Sequence, residues 1–170
     1  VFSEVGGLTR KHMNAAGRSM LIYRTLERLQ ENLKIFKKAV RQQGFVETVS
    51  EIITELKIYN ISPDALYKAI ESMEENDVLK DKIGDIYLIY SEFEKALHEK
   101  YIDSEDDLAI LADKMDIYKG FDGAEVWIDG FSLFTPLQYR VIEKLLKKAS
   151  RVTITLCTDY SKKAAKDSRD

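Results

Sequence analysis

GAEVWIDGFSLFTPLQY, residues 123 to 139, sets the class of fold. AEVWID is short, rich in β formers and apolar at successive positions, as expected of a strand covered on both faces. It ends on Asp129, and Gly130 follows at once. Thr135-Pro136-Leu137-Gln138 then has capping-box form, with proline at the first helical position. The predicted helix carries Val141, Ile142, Leu145 and Leu146 inward and Lys144, Lys147 and Lys148 outward. RVTITLCTD, from Arg151, reads as a second strand. Strand, helix and strand within about 35 residues make a βαβ unit, which implies a parallel pair and a right-handed crossover. Two strands are too few for a stable parallel sheet, so further strands are expected outside these residues.

Upstream the pattern is helical. Ile22, Leu26, Leu29, Leu33, Phe36 and Val40 recur at steps of four and three, which predicts one long helix with Asn14 as N-cap and Gly44 past its end. Val46, Val49, Ile53 and Leu56 mark a second helix. NISPD breaks the chain; Ser62 as N-cap and Pro63 as first helical residue predict a short helix to about Glu74. Leu79, Ile83, Ile86, Tyr90, Phe93 and Leu97 repeat the spacing of the first helix. Each stripe alone would stay wet, so the two helices are expected to pack together. A further helix starts near Asp103 or Ser104 and carries Leu108, Ile110 and Leu111. The predicted organisation is a helical subdomain over 1–120, a βαβ piece of an α/β core over 121–159, and a polar tail over 160–170. The fold class is mainly α with a small α/β part.

Bulk properties narrow the function. The net charge is −3, which excludes a basic nucleic-acid coat. Residues 1–60 hold ten Lys and Arg against six acids, and the remainder 16 against 23, so phosphates suit the N-terminal part better. A solvated helix face explains the same bias. The single cysteine, Cys157, excludes an internal disulfide and any multi-cysteine metal site, and fits a reducing, cytoplasmic setting. No apolar run approaches the ~18 residues of a membrane span. The opening VFSEVGGL and closing KKAAKDSRD read as the edges of a piece of a longer protein.

In open α/β sheets ligands bind beyond the carboxyl ends of the strands, where Asp129 is expected. In P-loop NTPases that place belongs to the acid that helps hold magnesium, beside a GxxxxGK[ST] loop, and no such loop occurs here. EVWIDGFSLFTPLQYRVIEKLL resembles motif II of superfamily 1 helicases of the UvrD type, and VTITLCTDY stands in the place of motif III. With GRSMLIYRTLERL, KIYNISPDAL and YIDSEDDL, the whole chain resembles the AddB (RexB) family, the second subunit of the AddAB helicase–nuclease. The likeness is most specific from Tyr101 to Thr158.

The resemblance implies a 1B-like helical subdomain on a RecA-like, P-loop NTPase-like core, with AddA and DNA, as single strand and duplex end, as partners. It implies double-strand-break repair by recombination, with a helicase-like region that guides single-stranded DNA and scans it for Chi. An active helicase carries a Glu after the strand acid, to orient the attacking water. Gly130 has no side chain for that task, and Ser132, Leu133 and Phe134 stand where a Gln-Asp pair would be. The strand ending Cys157-Thr158-Asp159-Tyr160 lacks the Gly-Asp form. The expectation is a helicase fold with its motor chemistry lost and no catalytic residue in this segment. By the same resemblance, ATP and magnesium have a place in the parent chain only where an upstream phosphate loop is kept, and a nuclease centre with an iron–sulfur cluster belongs to its C-terminal domain. Two alternatives are a fragment of an active superfamily 1 helicase and a helical interaction module without nucleic acid.

Two candidate residues follow. Asp129 either contacts magnesium or caps a turn. Phe131 either stacks on a DNA base, worth ~1–3 kcal/mol, or packs beneath the Thr135 helix as a staple. His12 and His98 have no ligand partner at useful spacing and read as surface residues. Asp103, Glu105, Asp106 and Asp107 read as acids enriched at a helix N-terminus rather than a metal or nuclease site.

Overall fold

The computed structural model describes residues 2–6, 11–74, 77–99, 101–103 and 106–157. Ser104, Glu105, Thr158, Asp159, Tyr160 and the 160–170 tail, on which several expectations fell, lie outside the described residues. The elements run α1 (Phe2–Val5), β1 (Lys11–His12), α2 (Ala15–Leu29), α3 (Phe45–Ile58), α4 (Pro63–Glu71), α5 (Val78–His98), β2 (Tyr101–Ile102), α6 (Asp107–Lys114), β3 (Glu125–Phe131), α7 (Pro136–Lys148) and β4 (Arg151–Leu156). The protein is mainly helical with two small parallel sheets, β1 with β2 and β3 with β4. Among the described residues no helix is long and apolar enough to cross a membrane.

Local chemistry sets the helix starts. Asn14 accepts from the Gly17 amide at 2.8 Å and Ser62 from the Ala65 amide at 3.2 Å. Thr135 and Gln138 close a reciprocal capping box over α7. Each cap satisfies amides that a helix start leaves open. The main core lies between α2, α3 and α5: Ile22, Leu26, Val49, Ile53, Ile89, Tyr90, Phe93 and Leu97 are buried together. Burial of a ring such as Phe93 contributes about 2–3 kcal/mol.

The long first helix does not form. α2 stops at Leu29, a 3-10 turn spans Gln30–Asn32, and a second spans Phe36–Arg41. The cause is Asp85 on α5, 1% exposed, whose carboxylate accepts from the amides of Lys34, Ile35 and Phe36 at 2.8 to 2.9 Å. An ionised acid buried in a core needs such donors, and these come from backbone outside a helix. Leu33 and Val40 reach the core by this route. On α5 the buried stripe is Asp85, Ile89, Tyr90, Phe93 and Leu97, while Leu79 is exposed.

β3 and β4 run parallel in register Val126 to Val152 and Ile128 to Ile154, joined by α7. The expected cover on both faces is absent among the described residues. Val126 and Ile128 are half-buried, whereas Trp127, of opposite parity, is 65% exposed. A two-stranded sheet with one crossover helix has only one face to hide. The α7 lysines are not simply outward. Lys144 pairs with Asp116 at 2.6 Å, and Lys148 donates to the Tyr118 carbonyl at 2.7 Å, fastening the segment after α6 to α7.

Candidate functional site

β3 does not end at Asp129. Ile128 faces Ile154 and Phe131 faces Leu156, so β3 carries one residue more than β4 across that step, a bulge. Gly130 sits in it with φ of +82°, in the left-handed region. A Cβ there would meet nothing within 4 Å, so what favours glycine is the backbone conformation and not crowding. The ladder resumes as the Cys157 amide donates to the Phe131 carbonyl at 3.1 Å.

The bulge turns Phe131 toward the start of α7. Its ring stacks on Phe134, centroids 4.9 Å apart, and Phe134 meets Tyr139 edge-on at 5.6 Å. Phe134 precedes the Thr135 cap and Tyr139 is the fourth helical residue, so this pair is the hydrophobic staple. The staple expected of Phe131 therefore belongs to Phe134, with Phe131 as a second ring against it. Leu133, 84% exposed, and the exposed Tyr139 and Leu156 continue this rim at the carboxyl ends of the strands. Sequence reasoning missed Phe134 and Tyr139 as a pair, although their spacing around the cap is readable.

Asp129 is exposed and accepts from the Thr155 hydroxyl across the strands. Magnesium needs a near-octahedral set of oxygens, usually one or two carboxylates with phosphates and waters. One carboxylate with one oxygen engaged is a single donor, and the described residues alone do not make a magnesium site.

Asp106 is the N-cap residue of α6 and Asp107 lies in its first turn, as the reading of a helix N-terminus expects, and these acids and Asp103 also have charged partners. Buried Asp103 takes Arg18 at 2.8 and 2.9 Å, and Arg18 also reaches Thr54 at 2.9 Å. Lys57, 6% exposed, lies 2.8 Å from Glu94, 2.9 Å from Asp106 and 3.3 Å from Asp103. Arg18 and Lys57 both stand over the Phe93 ring. Asp107 pairs with His12 at 2.8 Å. His98 does have an acid at useful spacing, Glu94 one helical turn back at 2.9 Å.

Burial, the largest influence on Lys57, pulls its pKa down. The charges of Glu94 and Asp106 together outweigh it, and the ammonium is held above the ordinary lysine range. Burial first, then Glu94, Asp106 and Asp103, pushes the Tyr90 hydroxyl well above the ordinary tyrosine range. Glu94, His98 and Asp106 bring ligand-type atoms within 4.8 Å of one another. The Lys57 ammonium already supplies the cation between Glu94 and Asp106. The cluster is structural: it ties α2, α3 and α5 to the segment that leads into α6.

A family model described as "ADDB, N-terminal" matches residues 1–170. The chain is 56% identical over 160 residues to the B subunit of the ATP-dependent helicase/deoxyribonuclease of Clostridium botulinum (strain Loch Maree / Type A3), covering 94% of this chain and 14% of that protein. The proteins of the same description from Thermoanaerobacter sp. (strain X514) and Clostridium novyi (strain NT) are 54% identical over 162 residues and 53% over 160. These cover 95% and 94% of this chain, and 14% of each relative. The chain spans about one seventh of the length of the curated relatives it matches.

Proposed function

From a chain that belongs to the AddB N-terminal family, we propose a helicase-like body that guides single-stranded DNA without driving its own ATP hydrolysis. Relatives named as the B subunit of a helicase/deoxyribonuclease support a place in the two-subunit AddAB complex, beside AddA. In this reading the complex acts on broken duplex ends in recombinational repair in the cytoplasm, and this segment takes part in scanning the strand for Chi. The helical part then corresponds to a 1B-like subdomain and β3–α7–β4 to part of a RecA-like core. ATP with magnesium and the iron–sulfur cluster belong to the longer protein. Asp129 offers at most one oxygen to an ion carried by a nucleotide.

The observation that carries the reading is Gly130 in a left-handed bulge directly after the strand acid. A water-orienting glutamate is missing there, and general-base assistance is typically worth ~10²–10⁴ in rate. The adjoining rim supports a DNA contact, because an aromatic ring can stack on any base. Phe131 stacks on Phe134 and is only half-buried, and in this reading its exposed part meets a base. The test is Phe131→Ala in the complete helicase–nuclease, with Chi response and thermal stability measured together. A lost Chi response at unchanged melting temperature is expected. Earlier melting with Chi response intact would make Phe131 a packing residue only.

A further inference from the structure

A second site candidate lies in the helical part. A cleft of about 480 Å³ opens between the 32–34 turn, α4 and α5. Gly84 lines it from the interior of the 21-residue α5. Glycine is among the poorest residues for a helix interior, so a mid-helix glycine calls for a reason. Packing among the described residues does not give one, since a Cβ on Gly84 would meet none of their atoms within 4 Å. The open space therefore points to something that approaches the helix backbone from outside.

The surroundings indicate what it is. Tyr67 and Tyr87 both line the cleft and pack against each other, centroids 5.3 Å apart and planes 45° from parallel. Asp85 is engaged by three backbone amides and Asp81 by Lys34 at 2.6 Å. Glu71 lies beside Tyr67 and raises the pKa of its hydroxyl. Lys80 reaches only the Met73 carbonyl, at 3.1 Å, and makes no ion pair among the described residues. Asn32 adds an amide. Two rings, an amide, a cation without an acid and a bare helix backbone fit a flat heterocycle bearing a phosphate.

We propose that this cleft holds one nucleotide, its base over Gly84 and against Tyr67 and Tyr87, its phosphate met by Lys80. The proposal rests on the reading that the protein handles single-stranded DNA; a free nucleotide offers the same chemistry, and the test separates the two sources. The full-length protein is irradiated with an oligothymidylate carrying 5-iodouracil, and in parallel with 5-iodo-deoxyuridine monophosphate. Adducts are mapped by peptide mass spectrometry. Adducts on Tyr67 or Tyr87 are expected. If they form with the strand alone, the nucleotide belongs to DNA; if the monophosphate gives them equally, the site takes free nucleotide. Gly84→Leu fills the cleft and should cut their yield about tenfold. Gly84→Ala should slow amide exchange along α5 about fivefold, which shows that the helix does not need glycine. Unchanged yield in Gly84→Leu overturns the proposal. So does strand binding with adducts elsewhere and none on these tyrosines, which leaves the DNA reading standing. Failure of the full-length protein to bind any strand removes both.

Discussion

At Gly130 a single residue carries two consequences. Its φ of +82° is a conformation that side-chain-bearing residues adopt at a cost, and in the proposed reading it stands where an active helicase would carry a glutamate. Gly130→Glu is expected to lower stability by about 1–2 kcal/mol, read from urea unfolding of the chain. A variant as stable as the parent would show that the left-handed backbone is not held there. Lys57 is the other decisive residue. A lone buried ammonium would give up its proton, but between Glu94 and Asp106 it keeps its charge.

At the level of elements, the break after α2 depends on one contact between distant parts of the chain. Asp85→Ala leaves the amides of Lys34, Ile35 and Phe36 without their acceptor and should cost about 3 kcal/mol; Asp85→Asn should recover part of it. Equal stability of Asp85→Ala and parent would contradict this origin of the break. The same contact explains what the sequence leaves illegible. The starts of α2, α4 and α7 are readable because Asn14, Ser62 and Thr135 act within their own turn. The stop at Leu29 is not readable, because Asp85 lies about fifty positions away and looks like a solvent residue beside its stripe. Phe134 and Tyr139 bracket a visible cap, so the aromatic rim was legible in principle, while the bulge at Gly130 needs the register of β4. Alternating burial around Trp127 reflects which face has a covering layer, and strand composition does not encode that.

Across the whole molecule, the Arg18–Lys57–Asp103 cluster holds the three main helices to the segment entering α6, which packs on α7. Lys57→Met leaves the half-buried Glu94 and Asp106 without the buried ammonium between them and should lose about 3 kcal/mol. Among the groups with raised values, Lys57 and Tyr90 are the buried ones, and they dominate the pH dependence. Lys57 and Tyr90 both hold their protons more tightly in the fold than at their ordinary 10.5 and 10.0, so their contribution is complete below about pH 10 and is lost as pH climbs through the raised values. Melting temperature should stay level from pH 8 to about 10 and fall above it, and Tyr90→Phe should soften the fall. An unchanged slope in Tyr90→Phe would remove Tyr90 from that explanation. A helicase-like body without its own motor stands or falls on DNA-stimulated ATP turnover of the full-length protein, assembled with a partner whose own ATPase is disabled. Turnover no higher than without DNA is expected, with no change on Asp129→Ala; DNA-dependent hydrolysis that Asp129→Ala abolishes would mean that the motor is intact.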